Sequence, residues 1–154
     1  MRMNITSAVL LSILLGLLCF SVALAQDKRP YHNGAVWDME FVRMNAGMET
    51  AYLAYIADEW KSEREVMKKD HQILSYKVMQ TEPHDSADYN LILMTEYKDL
   101  TALQASQEKE DAVYKQVTGS VEKQRQGYRD RLEIRQILGN RVAREIILAP
   151  TASP

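Results

Sequence analysis

Three histidines are the side chains of this sequence best suited to proton transfer or metal binding. His32, His71 and His84 carry imidazoles, whose ordinary pKa lies close to neutral pH. No two of them have the spacing of a metal site, and no HExxH segment occurs. The sequence therefore predicts no metal site.

His71 is the candidate for a catalytic role among the three, because it stands where a predicted helix gives way to a strand. The alternative is structural, since a positive charge at that point stabilises the C-terminal end of a helix. His32 and His84 lie in polar segments, where we expect solvated surface side chains.

Asp38 and Glu40 are two further catalytic candidates. They are two residues apart on a predicted strand, so both face the same side as Val36 and Val42. If that side lines the inside of a barrel, both carboxylates lie in a partly closed cavity, where either could act as a base or hold a ligand. If it is solvated, both are ordinary surface acids, and the sequence leaves the two interpretations open.

Three aromatic residues and one more acid are candidates for ligand binding. Trp37, Tyr52 and Tyr76 combine apolar rings with polar groups, which suits a small aromatic or lipid-like molecule. Glu96 lies beside Met94 on another predicted strand, in a position similar to that of Asp38. The alternative for the aromatic residues is packing in the core or in a dimer interface.

Several other chemistries lack their motifs. The chain has no GxSxG segment, no P-loop and no Gly-rich dinucleotide turn, so we expect no cofactor. Its formal net charge of −2 gives no reason to expect nucleic acid as a partner. The single cysteine, Cys19, lies in the leader described next, which excludes thiol chemistry from the remaining chain.

Residues 1–25 are predicted to be a signal peptide. Arg2 supplies a positive charge, residues 8–20 form an apolar run, and Ala23-Leu24-Ala25 is a cleavage site of small residues. The alternatives are an uncleaved anchor, because the run is near the lower length limit for a membrane span, and lipidation at Cys19. With cleavage after Ala25, we expect an exported protein, periplasmic or secreted, without stable membrane insertion.

The remaining chain is predicted to be one α+β domain over residues 35–149, after a flexible arm at 26–34 and before a tail at 150–154. Periodicity two predicts strands, and spacings of three and four predict helices. The predicted strands are residues 35–44, 73–81, 89–97 and 142–148. The predicted helices are residues 48–70, a second helix capped by Asp99 and broken near 104–111, and a third from Ser120 to about Leu138.

Two assignments concern basic residues. Arg64 is assigned to the outer face of the first helix. The Arg-rich segment 121–141, which includes Arg131 and Arg135, mixes both signs of charge and is interpreted as a solvated helical face rather than an anion site.

The hairpin of residues 73–103 is apolar on both faces. Leu74, Tyr76 and Val78 share one face of its first strand, whereas Ile73 and Met79 lie on the other. One layer of helices covers only one face of a sheet, and a domain of this size has no second helical layer. This pattern predicts a partner subunit.

The element order is a ferredoxin-like βαββαβ pattern with one extra C-terminal helix, built on a four-stranded antiparallel sheet. The turn 45–48 before a helix bearing Tyr52 and Trp60, and the span 73–105 with Tyr97-Lys98-Asp99, resemble dimeric α/β-barrel proteins of the antibiotic-biosynthesis-monooxygenase type. The resemblance implies a homodimer whose two sheets close a barrel. Segment 121–141 is longer than the usual link in that family.

Two functions remain from these observations. The first is an exported homodimer that binds a small hydrophobic or aromatic molecule without identifiable catalytic machinery. The alternative is a cofactor-independent monooxygenase-like enzyme acting on a small aromatic substrate, so the sequence leaves enzymatic activity undecided. Haem binding through His71 is a third, weaker hypothesis, because haem-using relatives share the fold.

Overall fold

The computed structural model describes residues 29–150, which divide into two compact units. The larger unit is Asn33–Ile147; residues 29–32 and 148–150 belong to the smaller one. In the smaller unit, the backbone N–H of Ala149 donates a hydrogen bond to the carbonyl oxygen of Pro30 at 2.8 Å. The predicted signal peptide, residues 26–28 of the predicted arm and residues 151–154 of the tail lie outside the described residues.

Four strands form one sheet, as predicted. They are β1, Tyr31–Met44; β2, Ser75–Gln80; β3, Leu91–Tyr97; and β4, Arg135–Leu148. Their order across the sheet is β2-β3-β1-β4, and the β1–β3 and β2–β3 pairs are antiparallel. This is the strand order of a ferredoxin-like βαββαβ fold, so the predicted fold class is confirmed.

The first predicted helix is also confirmed, although its hydrogen-bond pattern changes twice. It comprises α1, Glu49–Tyr55; a π-helical segment, Ile56–Trp60; and α2, Lys61–Lys69. Buried Tyr52, Ile56, Trp60 and Met67 recur at spacings of four and seven, so one stripe of this helix faces the sheet.

The later helices begin where their caps predict. Helix α3, Leu100–Gln107, is capped by Asp99, whose carboxylate accepts from the Ala102 N–H at 2.8 Å. The predicted break follows, and α4 is Glu110–Thr118. Helix α5, Val121–Asp130, is capped by the hydroxyl of Ser120.

The boundary between the last helix and the last strand was predicted wrongly. Helix α5 gives way to a short 3₁₀ helix, Arg131–Glu133, and β4 begins at Arg135, so Gly139-Asn140 lies inside a strand rather than in a turn. The physical reason is the partner strand. Arg43 on β1 donates from its side chain to Gln136, and the Asn45 N–H donates to the Ile134 carbonyl at 3.0 Å.

Strand β1 also begins earlier than the alternating pattern indicates. Residues 31–34, which the sequence places in the flexible arm, have strand conformation. Within the larger unit, Gly34 lies against Glu145 of β4, so close that a Cβ at Gly34 would lie 2.6 Å from a Glu145 carboxylate oxygen. Pairing with a long β4 outweighs the local turn signal of Asn33-Gly34.

The core lies between the helices and one face of the sheet. Val42, Leu91 and Leu93 pack with residues of the first helix, and Val36 and Tyr97 pack with Met67, Leu103 and Val113. Along β3, every second residue is buried, whereas the residues between them are only partly covered. Within residues 29–150, no helix is long and apolar enough to cross a membrane.

Candidate functional site

The register of the sheet assigns the strand candidates to two different faces. Asp38 is paired with Thr95 and Glu40 with Leu93, so both acids lie on the face that the helices cover. Trp37 is paired with Glu96, and this pair lies on the opposite, open face. The acids and the tryptophan therefore cannot contribute to one site within a single chain.

On the open face, the two candidates make polar contacts within the sheet. The ammonium group of Lys77 lies 4.9 Å from the centre of the Trp37 ring. The Ser75 hydroxyl donates a hydrogen bond to the Glu96 carboxylate.

The remaining candidates occupy separate places. Tyr52 is almost fully buried and stacks on Tyr55 with ring centres 5.7 Å apart. Tyr76 meets the Trp60 ring edge-on, and its hydroxyl donates to Glu65. His71 is exposed just after α2, where its φ of 55° ends the helix. His71 therefore does not line a common site with Asp38.

A cavity of about 200 Å³ lies on the helix-covered side of the sheet. Strands and helices both contribute to its wall, which mixes carboxylates, hydroxyls, amides and apolar groups. The lining residues are Asp38, Arg64, Met67, Tyr97, Ser106, Gln107, Glu110, Val113, Tyr114 and Asn140. This cavity is the candidate functional site, because it is a concave space with convergent polar groups.

Asp38 is the candidate from the sequence that lines this cavity. Burial raises the pKa of its carboxyl group above the ordinary value of 3.8, and the nearby charge of Glu110 adds to the rise. The positive charge of Arg64 opposes it. A carboxyl group with a raised pKa in a cavity can accept a proton from a ligand or share one with it.

The side chain of Arg64, on α2, turns towards the sheet and makes contacts on several sides. Its Nε donates to the Thr95 hydroxyl at 3.0 Å, and its guanidinium group lies 4.8 Å from the centre of the Trp60 ring. One guanidinium nitrogen is 3.7 Å from the carboxylate of buried Glu63. The prediction that Arg64 lies on the outer face is therefore wrong, since a long side chain can turn back towards the sheet.

Two tyrosines, Tyr97 and Tyr114, provide phenolic hydroxyl groups in the wall of the cavity. Burial raises the pKa of Tyr97, while Arg64 and a hydrogen bond with Ser106 lower it in part. Burial also raises the pKa of Tyr114, whose hydroxyl donates to the Glu110 carboxylate. Both phenols are neutral donors at physiological pH.

A second polar cluster lies deeper under the helices, around Glu40. Burial raises the pKa of Glu40, and Arg135 is the largest opposing influence. Burial raises the pKa of Tyr52 to about 12, with the charge of Glu40 adding to the rise and Arg135 opposing it. Glu63 belongs to the same cluster, and burial raises the pKa of its carboxyl group as well.

Arg131 and Arg135 are buried, which corrects the interpretation of segment 121–141 as solvated throughout. Their exposures are 7% and 3%. Among the described residues, Nε of Arg131 and both Nε and Nη1 of Arg135 have no hydrogen-bond partner. A buried donor without a partner costs about 1–3 kcal/mol, so this arrangement needs a reason.

One sequence pattern indicates that these two arginines can be buried. Arg131 and Arg135 are separated by four positions and lie in a run with Tyr128, Leu132 and Ile134. Arginine stacks on aromatic rings more readily than lysine does, and the segment has more arginine than lysine. Tyr114 was a candidate buried position from its helical spacing, whereas Glu110 gave no signal, because the polar stretch around it is typical of a solvated helix.

The arrangement supports proton transfer and the binding of a polar ring better than metal chemistry. Within residues 29–150, no group of three or more His, Cys, Asp or Glu side chains is placed to bind a metal ion. Asp38 can accept a hydrogen bond, whereas Tyr97, Asn140 and Gln107 can donate one.

Neither a family profile nor a curated protein sequence matches this chain. The chain is similar to two crystal structures, each described as a dimeric ferredoxin-like protein from an uncultured marine organism. The first is 9% identical with a TM-score of 0.50, and the alignment covers 79% of this chain and 94% of that one. The second is 10% identical with a TM-score of 0.49, over 78% and 100% of the two chains. Together with the strand order, the first similarity shows that this chain has a ferredoxin-like α+β fold.

Proposed function

We propose that this protein binds a small hydroxylated aromatic molecule in the cavity lined by Asp38. The observation that carries the proposal is the partly buried carboxyl group of Asp38, which lines a cavity of about 200 Å³ together with two tyrosines and Arg64. A cavity of roughly 150 Å³ holds one benzene molecule in a protein core, so this one has room for a single substituted ring. Met67 and Val113 supply apolar wall, and Asp38 supplies an acceptor for a phenolic hydroxyl.

Titration with phenol, catechol and hydroquinone tests this function, with binding followed by calorimetry. We expect Asp38→Ala to weaken binding by roughly tenfold or more, the value of a hydrogen bond to a charged group. Asp58→Ala, on the exposed side of the first helix, is the matched control and should leave affinity unchanged. Absence of binding at millimolar concentration, or equal affinity in the Asp38 variant, would contradict the proposal.

Cofactor-independent oxygenation is the second candidate function. It is supported by the position of Asp38 in the cavity wall and by its raised pKa, because both bring a stronger base towards a phenolic proton. We expect oxygen uptake with hydroquinone to fall in Asp38→Ala and to persist in His71→Ala, since His71 does not line the cavity. No oxygen uptake by the unaltered protein would leave ligand binding as the function.

The protein is also proposed to act as a homodimer that pairs through the open faces of its sheets. Trp37, Phe41, Ile92 and Met94 lie on that face and are only partly covered, and Met79 is 47% exposed. The first similar structure is described as dimeric. Two such faces packed together would form the barrel that the sequence resemblance implies.

Light scattering after gel filtration tests the homodimer. Leu138 shares a hollow with Phe41 and is 38% exposed, so Leu138→Glu should shift the mass towards the monomer. Leu53 is 37% exposed on the first helix, and Leu53→Glu is the matched control that should stay dimeric. A monomeric unaltered protein at micromolar concentration would contradict the proposal.

Export is proposed from the sequence of residues 1–25 alone. The intact mass of protein recovered from the periplasm of an expression host should correspond to a chain that begins at Gln26. A membrane-bound product that retains residues 1–25 would indicate an uncleaved anchor.

A further inference from the structure

Arg131 and Arg135 form a buried arginine cluster. Helix α5 covers this cluster, although no residue of α5 is itself fully buried. Its contacts with the cluster are polar or aromatic. Gln124 lies near Glu63 and lowers the pKa of its carboxyl group, and Gly127 lies so close to Arg131 that a Cβ there would be 2.8 Å from Nη1. The Tyr128 ring centre lies 4.6 Å from the Arg135 guanidinium carbon. Such a cover can move away at lower cost than a helix with an apolar buried face.

Three donors beneath this cover have no partner among the described residues. They are Nε of Arg131 and Nε and Nη1 of Arg135, on side chains that are more than nine-tenths buried. Arginine stays protonated at every physiological pH, so these are charged donors. A carboxylate accepts strong hydrogen bonds from such groups.

Aromatic rings surround the two guanidinium groups. Arg131 lies 3.7 Å from the centre of the Tyr55 ring. Arg135 lies between Tyr128, at 4.6 Å, and Tyr52, at 5.9 Å. A flat ring that enters beside the arginines would therefore meet tyrosine faces.

Three acids, Glu40, Glu59 and Glu63, lie near the cluster. Burial raises the pKa of both Glu40 and Glu63, which disfavours their ionised forms. Glu59 is 3.8 Å from Arg131, and its side chain is 43% exposed. An added carboxylate would accept the hydrogen bonds that these acids do not accept from the three unpartnered donors.

We propose that Arg131 and Arg135 form a binding site for a small aromatic carboxylate, with α5 as its movable cover. The carboxylate accepts from the unpartnered guanidinium donors, and the ring lies against Tyr52, Tyr55 or Tyr128. This site is separate from the cavity of Asp38, whose lining includes neither arginine.

Titration of the full protein with benzoate, followed through the Nε–H signals of arginine by NMR, tests the site. The signals of Arg131 and Arg135 should move and saturate together, whereas that of exposed Arg125 on α5 should stay in place. Arg135→Lys should lower benzoate affinity at least tenfold, because lysine cannot present the same set of donors. Arg125→Lys is the matched control and should leave affinity unchanged.

Tyr128→Leu separates recognition of the ring from recognition of the charge. It should weaken benzoate several-fold while leaving acetate, the probe without a ring, little changed. Tyr128 is 44% exposed, so this variant should fold even if Arg135→Lys does not. Unmoved Nε–H signals of Arg131 and Arg135 with millimolar benzoate, or equal movement of the Arg125 signal, would overturn the proposal.

Discussion

Opposite charges share a small volume between the sheet and the helices of this protein. Asp38, Glu40 and Glu63 supply carboxyl groups, and burial raises the pKa of each. Arg64 and Arg135 are their main positive neighbours. Buried charges of this kind seldom add stability, so their retention fits a role in binding.

Glu40→Gln tests how much one partly buried acid costs in folding stability. A raised pKa in the folded state means that the folded protein holds this proton more tightly than the unfolded chain. The contribution of Glu40 to stability is then fully present below the ordinary pKa of 4.5 and is lost as pH rises through the folded-state value. We expect Glu40→Gln to be more stable than the unaltered protein at neutral pH and to lose that advantage in acid.

Urea unfolding at several pH values measures this difference. Glu82→Gln, in the exposed hairpin loop, is the control and should follow the unaltered protein throughout. A stability difference for Glu40→Gln that does not change with pH would show that altered packing, not charge, is responsible.

At the scale of elements, α3 and α5 begin with equivalent caps but differ in what they bury. Asp99 and Ser120 each accept a hydrogen bond from a backbone N–H of the first turn. Helix α3 buries Leu103 and Ser106, whereas no residue of α5 is fully buried. Loss of the cap should therefore change the free energy of global unfolding by different amounts in the two helices.

Asp99→Ala should lower the free energy of unfolding by about 1 kcal/mol, the usual value of a cap. Ser120→Ala should lower it less, because α5 can open while the rest of the larger unit stays folded. Instead, amide exchange in α5 should quicken roughly fivefold, which corresponds to about 1 kcal/mol of local opening. Equal global losses in the two variants would show that α5 is not an independent cover.

The elements were more predictable than the site because they follow local patterns. Alternation identified β1 to β3, and Asp99 and Ser120 marked two helix starts. Arg131 and Arg135 were misassigned because burial of a charged side chain depends on Tyr52 and Tyr55, about 80 residues earlier in the chain. The early start of β4 likewise depends on β1, which local sequence does not reveal.

At the scale of the whole molecule, the two faces of the sheet have different roles. The helix-covered face bears Asp38 and Glu40, and the open face bears Trp37 and Glu96. In the proposed homodimer, each chain keeps its own cavity and contributes its open face to the interface. Ligand binding and dimerisation should therefore respond to different substitutions.

The hydrogen bond between Ala149 and Pro30 shows that these two residues lie close together, which makes a circular permutant of the chain possible. Because these two residues are adjacent, a short Gly-Ser linker can join them, and new ends can be opened in the exposed loop around His84. We expect this circular permutant to unfold cooperatively and to bind the same ligands, as judged by circular dichroism and calorimetry. A control permutant opened inside β3, between Ile92 and Leu93, should not fold. Success of the first and failure of the second would show that this architecture is set by which strands pair, not by where the polypeptide starts.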